Sequence, residues 1–222
     1  MIPVLPGLLH ASLLSPSLNL FTELHARSSF SFLRGASHPQ DLIQRAAELN
    51  YNSIAILDHM GVYGSVQAHL AARRHGIRAL VGATVELPGR RPGGSPLEIP
   101  VLVDSIKGYQ NLCHLLTNLH CHSEAISPDA LPHNSDHSVF FPSHTEGMIA
   151  LLTPESLPSL DRRSLLRVAL LLRRTFGRNN VYITLTRHYS RSTDRINRLL
   201  IDLSQSLSIP LLASNAPLFS HR

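Results

Sequence analysis

Cysteine, lysine and long apolar runs are what this chain has least of. Its 222 residues hold two cysteines, Cys113 and Cys121. That is too few for a disulfide framework and fits a reducing compartment such as the cytoplasm. Neither sits in a Cys-x-x-Cys pair, which excludes a cysteine zinc knuckle. No apolar stretch approaches the ~18 residues that a membrane span needs, so no membrane role is expected. Residues 1–20, MIPVLPGLLHASLLSPSLNL, are apolar but contain no Lys or Arg. A secretory signal would start with a basic region, and Pro3, Pro6 and Pro16 interrupt any apolar helix. Residues 1–20 therefore read as a loose N-terminal extension. There is no Gly-x-Ser-x-Gly elbow and no Walker loop. Gly82 and Gly93-Gly94 build no phosphate cradle, because no helix follows them directly.

Positive charge is plentiful. The net charge is +5 with a pI near 9.8, and of the 20 Lys and Arg residues only Lys107 is lysine. A basic surface suits nucleic acid or another polyanion. The arginines nevertheless read as spread along the chain, which gives an ordinary basic surface. Hydrophobic residues at 43% and charged residues at 16% are globular proportions. The length fits one large domain, with residues 21–222 as its extent.

Apolar periodicity predicts alternating strands and helices. Strands are expected at 21–27, 52–58, 79–87, 99–105, 148–152, 181–187 and 209–215. Helices are expected at 39–50, 62–76, 107–122, 161–177 and 192–207. Pro39 in the first turn opens the first helix, and Gly76 and Gly177 close the second and fourth. Residues 88–96 and 123–147 read as loops. Such alternation predicts an α/β fold with a parallel sheet and right-handed crossovers. Seven strands suffice for a closed or nearly closed barrel.

In parallel α/β folds, functional groups gather beyond the carboxyl ends of the strands. Those ends carry His25, Asp58-His59, Thr84-Val85-Glu86, Arg187-His188 and Ser214-Asn215. His, Asp and Glu converging on one mouth are the ligand types for zinc or manganese, and a metal-bound water would attack a phosphate ester. The candidate metal ligands are therefore His25, Asp58, His59, Glu86 and His188, with Glu98 as a further carboxylate in reserve. A strand-end histidine is more often a satisfied polar group than a ligand, so Asp58-His59 after a buried apolar strand is the most specific signal. The loop histidines His133, His137 and His144 read as solvated, and Leu119-His120-Cys121-His122-Ser123 as a chance ligand-like string at a helix end.

The block FTELHARSSFSFLRGASHPQDLIQRAAELNYNSIAILDHMGVYGSVQAHLAARRHGIRALVGATVEL resembles the N-terminal PHP (polymerase and histidinol phosphatase) domain of bacterial DNA polymerase III alpha subunits. Its segment ELHARSSFSFLRGASHP is most similar to the error-prone branch. Gly108-Tyr109-Gln110-Asn111-Leu112, Glu146-Gly147-Met148-Ile149-Ala150-Leu151 and IPLLASN extend the resemblance over about residues 21–218. It implies a PHP-type distorted (β/α)7 barrel whose active members hold up to three metals. It also implies a DNA polymerase core or other replication and repair proteins as partners, with DNA as a further one. Because the family's polymerase palm lies beyond the PHP domain, residues 1–222 are expected not to polymerise DNA alone.

Against that resemblance the metal motifs depart. The family's His-x-His is His25-Ala26-Arg27 here, and its nearby acidic ligand falls at Arg34. Its Gly-x-Glu is Gly82-Ala83-Thr84, with Glu86 two residues on and on the same strand face. Its closing Asn-Asp-x-His is Asn215-Ala216-Pro217-Leu218. The His of its Asp-His pair is kept as His59. A guanidinium cannot coordinate a cation, so Arg27 and Arg34 are expected to pair with Asp58 or Glu86 in place of metal. The leading expectation is a structural module with a degenerate metal site. The alternatives are a metal-dependent phosphoesterase or 3′–5′ exonuclease, and an Arg-rich nucleic-acid-binding module.

Overall fold

A computed structural model describes residues 21–87, 96–122, 145–154, 162–188 and 190–221. The N-terminal extension, nearly all of the 88–96 loop, and residues 123–144 with His133, His137 and His144 lie outside the described residues. The elements run β1 (Glu23–Ala26), α1 (Pro39–Glu48), β2 (Ser53–Ile56), α2 (Ser65–His75), β3 (Arg78–Leu87), β4 (Leu97–Val103), α3 (Ile106–His122), β5 (Met148–Leu152), α4 (Arg162–Phe176), β6 (Val181–Leu185), α5 (Arg191–Leu207) and β7 (Leu211–Ala213). The seven strands form one sheet in chain order. This is the distorted β/α barrel that the pattern and the resemblance lead one to expect.

The expectation of a wholly parallel sheet is corrected at β4. β1–β2–β3 and β5–β6–β7 are parallel, but β4 pairs antiparallel with both β3 and β5. The reason is local. Only residues 88–96 separate β3 from β4, too few for a crossover helix, so the two strands make a hairpin. β4 thus presents its first residues, not its last, at the end of the barrel where β3 finishes.

Alternation divides the core. Ala83, Val85 and Leu87 of β3 with Ile99, Val101 and Val103 of β4 face α3, α4 and α5 in the largest apolar cluster. Ala55, Leu57, Leu102, Ile149 and Leu151 form a separate inner cluster. The residues that alternate with the outer set, Glu86 and Glu98 among them, point the other way. A third cluster packs α1 and α2 on β1 and β2.

The barrel closes without a β1–β7 ladder. The buried Glu23 carboxylate accepts hydrogen bonds from the His25 backbone N–H at 2.9 Å, the Ser214 hydroxyl at 2.6 Å and the Asn215 backbone N–H at 2.8 Å. Arg27 N–H donates to the Pro217 carbonyl at 3.1 Å. The Asn215–Leu218 segment therefore lies along the edge of β1.

The start of α3 meets the start of β5 at two glycines. A Cβ on Gly108 would lie 1.7 Å from the Gly147 carbonyl oxygen, and Gly147 itself has φ +73°. Backbone cannot yield as a side chain does. Gly108→Ala is expected to cost about 2–3 kcal/mol, as overpacking does. Thermal denaturation followed by circular dichroism checks it; an unchanged midpoint would refute the contact.

Candidate metal centre at the barrel mouth

The mouth is built around two carboxylates that stand directly opposite one another. The β3–β4 register pairs Glu86 with Glu98. Like charges at such a position repel and destabilise the pair unless something lies between them. Here guanidinium groups do. Arg34 donates through Nη1 to Glu98 and through Nη2 to Glu86, the latter at 3.3 Å. Arg27 donates through Nη2 to Glu98 at 2.7 Å. His59 Nε2–H donates to Glu86 Oε2 at 2.7 Å. The Arg27 and Glu98 side chains are only 12% and 18% exposed, so this network is partly desolvated and its attraction exceeds that of a surface pair.

The loop after β1 brings the arginines here. It is held from below by Asp58, which is buried. One Asp58 oxygen accepts from the Ser28 backbone N–H at 2.8 Å and from the Ser31 hydroxyl at 2.7 Å, while the Ser28 hydroxyl donates to the carboxylate at 2.8 Å. Ser31 Oγ in turn accepts from the His59 backbone N–H at 3.0 Å. Successive residues point to opposite sides, so Asp58 serves the loop while His59 reaches the mouth. The expected pairing of arginine with Glu86 is present. Pairing with Asp58 is not, because serine donors already fill that carboxylate.

The 58–60 turn is fixed on its other sides. Thr84 N–H donates to the Asp58 carbonyl at 2.9 Å and Met60 N–H to the Thr84 carbonyl at 2.8 Å. Thr84, at the position of the family's Gly-x-Glu carboxylate, donates its hydroxyl to the Leu57 carbonyl at 3.0 Å. His120 of α3 donates Nε2–H to the Met60 carbonyl at 2.8 Å. The string around His120, read as chance, thus has a positioning part.

Of the candidate ligands, His59 and Glu86 come together, and Glu98 joins them. One ligand atom from each lies within 4.8 Å of the others, the one such group of three among the described residues. Glu98 is not at the carboxyl end of its strand; β4 runs the other way and brings its first residues to the mouth. The signal for this reversal is the short Gly-, Pro- and Arg-rich sequence of residues 88–96, which carries no apolar helical spacing. Asp58, His25 and His188 stand outside this group. His188 is exposed, beyond the end of β6.

His25 is wholly buried, and neither ring nitrogen has a hydrogen-bond partner. Burial first, and the Arg27 charge second, push its pKa down to about 3. It is therefore neutral in the folded protein across the physiological range. In the unfolded chain it takes a proton near pH 6.5. Its contribution to stability is present above pH 6.5 and is lost as the pH falls towards 3. At pH 5 the loss is about 2 kcal/mol. Urea unfolding at pH 7 and pH 5 should show this for the wild type, with a shallower pH slope in His25→Phe; equal slopes would contradict the burial of a neutral imidazole.

As donors, His59, Glu86 and Glu98 are of the right type for zinc or manganese. Both oxygens of Glu98 and Oε2 of Glu86 are already engaged by Arg27 and Arg34. As they stand, the residues do not fit a centre of several metals, and no reaction step follows from one.

The PHP domain family matches residues 23–188. An error-prone DNA polymerase of Ralstonia nicotianae is 31% identical over 87% of this chain but only 18% of its own length. An error-prone DNA polymerase of Anaeromyxobacter sp. is 45% identical over 46% of the chain and 9% of its own length. The chain thus spans less than a fifth of these relatives. Among solved structures, an amidohydrolase from Chromobacterium violaceum, with bound sulfate and no metal, aligns with a TM-score of 0.58 at 19% identity, covering 90% of this chain and 87% of that one. A protein described as a metal-dependent phosphoesterase from Bifidobacterium adolescentis aligns at 0.57 and 14% identity, covering 90% and 88%. These share the fold. No described helix is long and apolar enough to cross a membrane. With its barrel, its mouth of His59, Glu86 and Glu98, and a match over most of its length, the chain belongs to the PHP domain family.

Proposed function

We propose that this chain is a non-catalytic PHP module of an error-prone, polymerase III alpha-type DNA polymerase. On this reading it is a cytoplasmic structural part that supports a polymerase core in replication or translesion repair, and its metal site is degenerate. One observation carries the reading: the guanidinium groups of Arg27 and Arg34 sit on Glu98 and Glu86. They supply, through fixed hydrogen bonds, the positive charge that cations would otherwise supply. The relatives' name, error-prone DNA polymerase, supports the cellular setting.

Melting the protein with chelator and with added zinc or manganese tests it. A metal that binds only the folded state at a hundred times its Kd adds about 2.7 kcal/mol, an easily seen upward shift. No shift is expected for the wild type. Arg27→His with Arg34→Glu, which restores ligand types at both positions, is expected to acquire one. A zinc-dependent rise in the wild type would overturn the reading.

The partnerless nitrogens of His25 favour one second reading, a metal-dependent phosphoesterase. It requires phosphodiester hydrolysis that is lost both with chelator and in His59→Ala.

A further inference from the structure

The arginines are not spread evenly. Ten of the 19 lie between residues 162 and 198, against one acid, Asp194. Because β5, β6 and β7 are adjacent and parallel, the crossover helices α4 and α5 run in the same direction on the outside of the sheet. They pack together, and the Arg173 guanidinium donates to the Leu207 carbonyl near their C-terminal ends. Helical spacing then gathers the remaining charge. Arg163 and Arg167 lie four residues apart on α4. Arg191, Arg195 and Arg198 fall at i, i+4 and i+7 on α5. These five and Arg162 are exposed, and none forms an ion pair among the described residues.

Three of these side chains do not help the helices that carry them. Arg162, Arg163 and Arg191 occupy first turns, where the helix dipole disfavours positive charge. α4 has no acid in its first turn to offset this. Both N-termini open towards the end of the barrel where the parallel strands finish. Positive charge held against the dipole at the start of α4, and outnumbering the acids Asp194 and Asp202 of the adjacent α5, is complementary to a repeating anion.

We infer that the paired outer face of α4 and α5 is a docking surface for the phosphodiester backbone of a nucleic acid. The contacts are to phosphates, so binding is independent of sequence and weakens with salt as counterions are released. This surface is separate from the mouth, and its test leaves Arg27 and Arg34 untouched. Its failure therefore says nothing of the degenerate metal site.

Fluorescence anisotropy with labelled duplex DNA, single-stranded DNA and RNA, over a salt series starting near ~50 mM, reads the binding. The wild type is expected to bind at the low end, with log K falling linearly against log salt. Arg163→Gln, Arg167→Gln, Arg195→Gln and Arg198→Gln together should bind more than ~10-fold more weakly, with a slope shallower by about 3–4. Arg73→Gln with Arg74→Gln, which removes two exposed arginines of α2, should stay within about twofold. Thermal melting provides an independent readout: Arg162→Gln with Arg163→Gln should not lower the midpoint, while affinity falls. The order of affinity among the three probes identifies the form of nucleic acid preferred. The inference fails if the wild type does not bind any probe at low salt, or if binding ignores salt. It also fails if the α2 variant loses as much as the α4–α5 variant, or if polyglutamate competes as well as DNA at equal charge.

Discussion

Asp58→Ala is expected to lower the melting temperature by roughly 6–12 °C, the equivalent of about 3 kcal/mol in a domain of this size. The substitution removes no apolar contact of note. Its effect comes from what remains. Asp58 is buried at 2% exposure and accepts from the Ser28 N–H, the Ser28 hydroxyl and the Ser31 hydroxyl. Alanine leaves those donors desolvated and unpaired, which costs about 1–3 kcal/mol for each that water cannot reach. Asp58→Asn keeps one acceptor oxygen and should lose about half as much. Because this loop carries Arg34, loss of its anchor should also free Glu86 and Glu98. If Asp58 were a metal ligand and nothing more, the metal-free alanine variant would melt as the wild type does. Denaturation with urea and with heat decides between these.

Glu98→Gln should be nearly as costly, about 2–3 kcal/mol, because it leaves Arg27 and Arg34 facing a neutral amide in a partly desolvated site. Arg27 is the more committed of the two, with a side chain 12% exposed and an Nε atom that has no partner. The informative result is the cycle. Arg27→Gln combined with Glu98→Gln removes a charge pair, not a single charge, and should cost less than the sum of the singles by about 1–2 kcal/mol. Additive losses would mean that the guanidinium and the carboxylate do not sense each other.

The two charges across the β3–β4 ladder make the same point from the other side. Glu86 and Glu98 occupy facing positions, an arrangement that calls for a positive group between them. The sequence carries that group as Arg34, in a loop that Asp58 fixes in place. No part of the triad is adjacent in the chain.

That distance explains which parts could be read beforehand. All twelve elements follow from apolar spacing. Their ends moved by a few residues where the ladder pairing stops short of the apolar pattern: β1 is 23–26 against an expected 21–27, and β7 is 211–213 against 209–215. The reversed strand β4 was missed because alternation of strand and helix was extended across residues 88–96, which hold no helical pattern. Glu98, expected only as a reserve carboxylate, reaches the mouth because it lies at the start of this reversed strand. Asp58 and His59 were found as a pair, but which of them faces the mouth depends on strand pleat and on where Ser28 and Ser31 fold back, which spacing does not encode. The basic face of α4 and α5 was hidden by reading charge along the chain. It needed the parallel run of β5, β6 and β7 to bring two helical stripes side by side.

The most direct test of the central claim is elemental analysis of the purified protein after dialysis against zinc and manganese without chelator. With Arg27 and Arg34 in place, well under ~0.2 metal ions per folded chain are expected, because the carboxylates are already neutralised by groups that cannot leave by dialysis. About one ion per chain or more, in protein whose fold is intact, would contradict the account. It would mean that the arginines give way, and that His59, Glu86 and Glu98 hold a metal centre.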